Sequence, residues 1–170
     1  MKKVYDTINQ YCVEHELLTN GDGIVIGLSG GMDSVCLLQV LAALRNEWQL
    51  RLVCVHVHHG IRGTAADEDA AFAQRLAAKY NISFRLYEMD IPQLAKEQGL
   101  SEEEAGRNYR YRCFEEVRKE LNFDKIAVAH HRDDQAETVL WQILRGSGLR
   151  GVCGMRAGRA NIIRPLLCLD

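Results

Sequence analysis

Short apolar runs alternating with helix-period patterns restrict this chain to very few architectures. "IVIGL" (24–28), "RLVCVHV" (51–57), "ISFRLYE" (82–88) and "KIAVAH" (125–130) read as strands. Residues 2–18 carry Val4, Ile8, Tyr11, Cys12 and His15 at helical spacing, 34–45 is a mostly apolar helix, and 66–80 aligns alanines with Leu76 and Tyr80. Ser101 and Glu104 form a capping box that opens a helix running to about Leu121. Another helix runs from about Asp134 to Leu144 and stops at Gly146, and "NIIRPLL" (161–167) reads as a fifth strand cut short by Pro165. Strands alternating with helices predict an α/β fold, a doubly wound parallel sheet flanked by helices in the Rossmann manner. Ligands of such sheets bind beyond the carboxyl ends of the strands. Those ends carry "SGGMDS", "HVHHGIR" and "AHHRDDQAE".

At 170 residues and 47% apolar composition the chain is long enough for one domain with a substantial core. No charged start precedes an apolar segment, and no apolar run reaches the roughly 18 residues of a membrane span, so a soluble cytoplasmic protein is expected. The six cysteines are scattered with no C-x-x-C, and a structural role in a reducing compartment is expected for all. Charge is uneven. Arg145, Arg150, Arg156, Arg159 and Arg164 face one acid in the last 26 residues, which carry +4, and the rest of the chain carries −6. A basic end on an acidic body suits a polyanion, although a solvated arginine loop would look the same.

A Gly-rich turn between a strand and a helix N-terminus is an anion cradle, because free N–H groups and the helix dipole aim at the ligand. In "SGGMDS" Ser29 and Ser34 supply hydroxyls, and Gly30, Gly31 and Met32 supply backbone that can approach phosphate oxygens. The loop has neither G-x-x-x-x-G-K-[ST] nor G-x-G-x-x-G. With no lysine present, Asp33 is a candidate Mg²⁺ ligand, the alternative being a helix N-cap. Arg107 and Arg110, three apart on the capped helix, suit phosphate oxygens. Asp134 and Glu137 lie three apart on one helical face beside His130 and His131, where they could bind an ammonium, bind Mg²⁺ or take a proton from an amine. Zinc is not expected, since no cysteine pair stands at zinc spacing.

"SGGMDS" resembles the PP-loop of the N-type ATP pyrophosphatases. Together with "HVHHGIRG" (56–63), "EAGRNYRYRCF" (104–114), "AHHRDDQAETVLWQILRGSGLRGVCGM" (129–155) and "IIRPLL" (162–167), the chain is similar to the tRNA(Ile)-lysidine synthetase family over residues 24–167. The resemblance implies that residues 1–170 are an N-terminal catalytic domain, the tRNA-recognition domains lying elsewhere. It implies ATP and Mg²⁺ as cofactors, with adenylation of C2 of the wobble cytidine of tRNA(Ile) and its displacement by free lysine. Ser29, Gly30, Gly31, Met32 and Ser34 would hold pyrophosphate, Asp33 the metal, and Arg107 and Arg110 phosphates. Asp134 and Glu137 would receive lysine, with His131 or a carboxylate taking its proton. Val55 and Val57 would pack around adenine, and the arginines 145, 150, 156, 159 and 164 would contact tRNA phosphates; Tyr109 and Tyr111, read from the residues alone, are core or rim packing rather than base-stacking platforms. Oligomeric state is left open, a homodimer among the alternatives. A tRNA thiolase of the same loop superfamily and a non-catalytic nucleotide-binding module are the rival readings; the missing C-x-x-C weighs against thiolases that use paired cysteines.

Overall fold

The computed structural model describes residues 2–58, 64–144 and 154–169. Its centre is the strand β1 (Gly23–Gly27), buried along nearly all its length. β1 runs parallel to β2 (Arg51–His58) on one side and to β4 (Lys125–Ala127) on the other. β3 (Ser83–Glu88) extends the sheet beyond β2, also in parallel. Beyond β4 lie β6 (Ile162–Ile163), parallel, and β5 (Gly158–Arg159), antiparallel at the edge. The order β3-β2-β1-β4-β6-β5 places the switch point between β1 and β4.

Continuous apolar runs are needed because successive residues of a strand face opposite sides, and here both sides are covered. Ile24 and Ile26 join a core with α1 (Lys2–Glu14), α2 (Met32–Leu44) and α3 (Thr64–Lys79), through Ile8, Leu37 and Ala73. Val25 joins a second core with Val53, Val55 and α5 (Glu102–Glu120), through Tyr109, Phe114 and Val117. Each such aliphatic side chain taken from water contributes about 1.5–3 kcal/mol. At Gly27 α5 lies against the strand: a Cβ there would lie 2.7 Å from the Phe114 ring. α6 (Arg132–Leu144) is different, since none of its residues is buried and Leu140, Ile143 and Leu144 are exposed.

The capping signal at Ser101 forms as expected, its Oγ accepting the Glu104 N–H at 3.2 Å. Ser101→Ala is expected to lower unfolding stability by about 1 kcal/mol, read by denaturant titration. A helix not anticipated, α4 (Ile91–Gln98), precedes it. Asp90 caps it through the Gln93 N–H at 3.0 Å, Pro92 sits in its first turn and Gly99 ends it at φ 66°. Those signals stood in the sequence as D-I-P and Gly.

The fifth strand expected over 161–167 is corrected. Only Ile162–Ile163 pair, and Pro165–Cys168 form a 3₁₀ turn, because Pro165 removes an N–H the ladder would need. The hairpin end is tied to α5 by Asn161 Nδ2, which donates to Glu115 Oε2 at 2.6 Å. Arg118 donates two bonds to the same carboxylate, at 2.8 and 2.7 Å, and with lesser help from Asn161 pulls the Glu115 pKa down to about 2 from 4.5. A depressed folded pKa means stability present above about 4.5 and lost as pH falls toward about 2. Glu115→Gln is therefore expected to lower Tm at pH 7, with the difference from the wild-type protein shrinking below about pH 4.5. Melting curves from pH 7 to pH 2.5 check this.

Candidate active site

The loop after β1 is shaped from within. Gly30 takes φ 95°, a conformation that side chains disfavour, and Gly31 caps α2 with no side-chain bond. Ser34 is buried, donating its hydroxyl to the Gly31 carbonyl at 2.8 Å and accepting the Gly30 N–H at 3.2 Å. Ser29 and Ser34 hydroxyls lie 3.1 Å apart, and Ser29 Oγ accepts the Gly31 N–H at 3.4 Å. The two serines thus act as struts of the loop. The N–H contacts at 3.2 and 3.4 Å are long and readily exchanged for a ligand oxygen. Met32 is 86% exposed, and Asp33 is exposed in the first turn of α2. Its carboxylate caps nothing, so the N-cap alternative does not hold.

The loop borders a cavity of about 610 Å³ beneath the carboxyl ends of β1, β2 and β4. Val55 and Val57 line it from β2, with Phe114 and Tyr111 from α5, and Tyr109 is buried in the core beside them. Arg107 and Arg110 line it as well, exposed and three apart on α5. His130, noted in the sequence beside His131, lines it too, and so do His56, Asp69 and Glu103, which the sequence reading did not single out as site residues. Glu103 was legible, being four residues before Arg107 on the same helical face; Asp69 carried no signal. His56 is buried with Nδ1 2.8 Å from the Leu28 carbonyl. A carbonyl only accepts, so the neutral ring carries its proton on Nδ1 and keeps Nε2 as an acceptor. Burial holds its pKa below the ordinary histidine value.

At the end of β4, His131 and Asp134 make a reciprocal cap on α6. The His131 N–H donates to Asp134 Oδ2 at 2.8 Å, and the Asp133 N–H donates to His131 Nδ1 at 3.2 Å. Nδ1 being an acceptor, a neutral His131 carries its proton on Nε2. That atom lies 3.6 Å from Asp33 Oδ2 and 3.6 Å from Asp134 Oδ2. The imidazole therefore bridges the loop after β1 to the helix after β4, across the switch point. Glu137, one turn on, is exposed and does not line the cavity.

The expected row of phosphate-binding arginines divides. Arg156 and Arg159 are exposed. Arg164 is corrected: it is 8% exposed, with its guanidinium bonded to His130 Nδ1 at 3.3 Å and the Arg156 carbonyl at 3.0 Å. Buried as it is, it offers no surface to a tRNA phosphate. Arg145 and Arg150, like His59, Gly146 and the "RGSGLRG" stretch, lie outside the described residues. Among the described residues no group of three or more His, Cys, Asp or Glu could hold a metal, and no helix is long and apolar enough to cross a membrane. The described cysteines are unpaired, and burial pushes the Cys12 and Cys54 thiols up to about 12, against any thiolate role.

The PP-loop domain family matches residues 2–170. A tRNA(Ile)-lysidine synthase of Caldanaerobacter subterraneus is 49% identical over 170 residues, covering 100% of this chain and 36% of its own. That of Clostridium tetani is 42% identical over 165 residues, covering 96% of this chain and 34% of its own. The chain thus spans about a third of the length of these relatives. Among solved structures, the U34-tRNA thiolase NcsA from Methanococcus maripaludis, with its [4Fe-4S] cluster, superposes with a TM-score of 0.74 at 22% identity. It covers 98% of this chain and 59% of that one. The NH3-dependent NAD synthetase from Campylobacter jejuni gives 0.58 at 18% identity, covering 86% of this chain and 60% of its own. At such identities the likeness is one of fold. The Ser-Gly-Gly loop between β1 and α2, the parallel sheet it caps and a family match along nearly every residue agree: this chain belongs to the PP-loop domain family.

Proposed function

We propose that this chain is the catalytic part of a tRNA(Ile)-lysidine synthase. It binds ATP, activates C2 of the wobble cytidine as an O-adenylate, and directs free lysine onto that carbon. The oxygen on C2 attacks the α-phosphorus, the α–β bridge breaks and pyrophosphate leaves. The lysine amine then attacks C2, and the C–O bond breaks to release AMP. The observation that carries the reading is the His131 bridge between the PP-loop's Asp33 and Asp134, which joins the anion cradle to the acids proposed for lysine. The 49% identity to a lysidine synthase along the whole chain supports it.

The loop and the N-terminus of α2 receive pyrophosphate, and Arg107 and Arg110 receive phosphate oxygens. Magnesium fits Asp33, an exposed carboxylate bordering the cavity without a capping bond, because Mg²⁺ commonly uses one or two carboxylates plus substrate phosphates. When bound it would offset phosphate charge. The proton on the attacking amine, whose reference pKa is about 10.4, must leave before attack. His131 is poorly placed to take it, since its acceptor nitrogen already receives the Asp133 N–H. That leaves carboxylates. Asp134 Oδ2 is engaged by the His131 N–H, whereas Glu137 has no partner among the described residues, so Glu137 is the preferred acceptor. tRNA phosphates would meet Arg156 and Arg159, together with Arg145 and Arg150.

Mass spectrometry of tRNA incubated with the full-length protein, ATP and lysine tests the reading. A cytidine gaining lysine is expected. Sulfur incorporation would point to the thiolase alternative, and ATP binding without ATP–pyrophosphate exchange to a binding module.

A further inference from the structure

We propose that Arg164 is a positioning residue that makes His130 a hydrogen-bond donor to a phosphate oxygen of the bound nucleotide. The inference rests on the reading of the cavity as a nucleotide site and adds to it a donor that sequence motifs did not assign. Arg164 is 8% exposed, and among the described residues no carboxylate forms an ion pair with it. A buried charge without a counter-charge is costly, so its retention needs a reason. The guanidinium meets two acceptors, the Arg156 carbonyl at 3.0 Å and His130 Nδ1 at 3.3 Å.

The second contact dictates the state of the ring. A guanidinium N–H can only donate, so His130 Nδ1 must present its lone pair, and the ring proton sits on Nε2. A cation on Nδ1 also draws electron density from the imidazole, which disfavours a second proton and strengthens the Nε2–H as a donor. This is the reverse of a carboxylate behind histidine, which makes the ring a base. Burial, then the charges of Arg164, Arg107 and Arg110, hold the His130 pKa below its ordinary value, against an opposing pull from Asp134. His130 lines the same cavity as Arg107 and Arg110. The preferred acceptor there is an anionic oxygen, and the nucleotide supplies phosphates.

The returning segment is tied to its neighbours near both ends. Gln135 Oε1 on α6 accepts the Met155 N–H at 2.6 Å, and the Val128 N–H, just after β4, donates to the Ile163 carbonyl at 3.1 Å. The Arg164 N–H closes the hairpin internally on the Ala157 carbonyl at 2.8 Å. A purely structural role for Arg164, closing this hairpin through the Arg156 carbonyl, is the competing explanation.

Calorimetric titration of the full-length protein with ATP, pyrophosphate and adenosine separates the two. Arg164→Met and His130→Asn are expected to weaken ATP and pyrophosphate roughly tenfold or more, the loss of one charge-assisted bond. Adenosine, which lacks phosphate, should change by less than about twofold. His130→Gln keeps an N–H near the position of Nε2 and should weaken ATP less than His130→Asn does. Arg164→Lys, which keeps the charge and one donor, should fall between wild type and Arg164→Met. If melting shows Arg164→Met unfolded, Arg164→Lys and the His130 pair decide. Equal effects of the two His130 variants, ATP and adenosine weakening together, or unchanged ATP affinity would overturn the proposal. A wild-type protein that binds no ATP would instead overturn the nucleotide-site reading itself.

Discussion

Asp33→Asn is expected to cut adenylate formation by at least about 100-fold, the scale of losing one preorganised electrostatic stabiliser. The motive is the position of its carboxylate. Asp33 stands in the first turn of α2, borders the cavity, and caps nothing. Among the described residues its carboxylate is paired with His131 Nε2 at 3.6 Å, which leaves oxygens for a metal or for the developing charge at phosphate. Because the side chain is exposed and the change isosteric, stability should move by less than about 0.5 kcal/mol. ATP–pyrophosphate exchange across a Mg²⁺ series, with melting curves alongside, measures both. Full exchange with unchanged Mg²⁺ dependence would remove Asp33 from the chemistry.

Glu137→Gln is expected to lower kcat/KM for lysine by about 100-fold, the lower range for loss of a general base. The ATP KM should stay within about twofold, since Glu137 does not line the cavity. Asp134→Asn should act in the same direction but less. Asn can still accept the His131 N–H, so the α6 cap survives while the negative charge beside His131 is lost. Steady-state kinetics on the full-length enzyme with each substrate varied in turn gives the comparison. If only the ATP parameter moves, both acids belong to the phosphate side of the site. His131→Gln offers a cross-check: a base lost here would flatten the pH dependence of lysine use, whereas a lost bridge would lower adenylation too.

Much of this was legible because it is written in short-range chemistry. The strand runs around Ile24, Val53 and Ile126 had to be apolar on both faces to be covered on both. The Ser-Gly-Gly turn needed a residue tolerant of φ 95° at Gly30, and Ser101 needed only Glu104, three residues on, to declare a helix start. Periodicity, turns and caps are properties of neighbours along the chain, so the sequence by itself determined the element order, the loop and the strand ends on which the site is built. The tertiary structure alone decided which of those ends meet. β1 pairs with β4, about a hundred residues later, and only that pairing brings His131 to Asp33 and Arg164 to His130. An arginine next to a proline reads the same whether it faces solvent or is folded under a hairpin. Its burial depends on what the sheet order stacks above it, and spacing along the chain carries no information about that order.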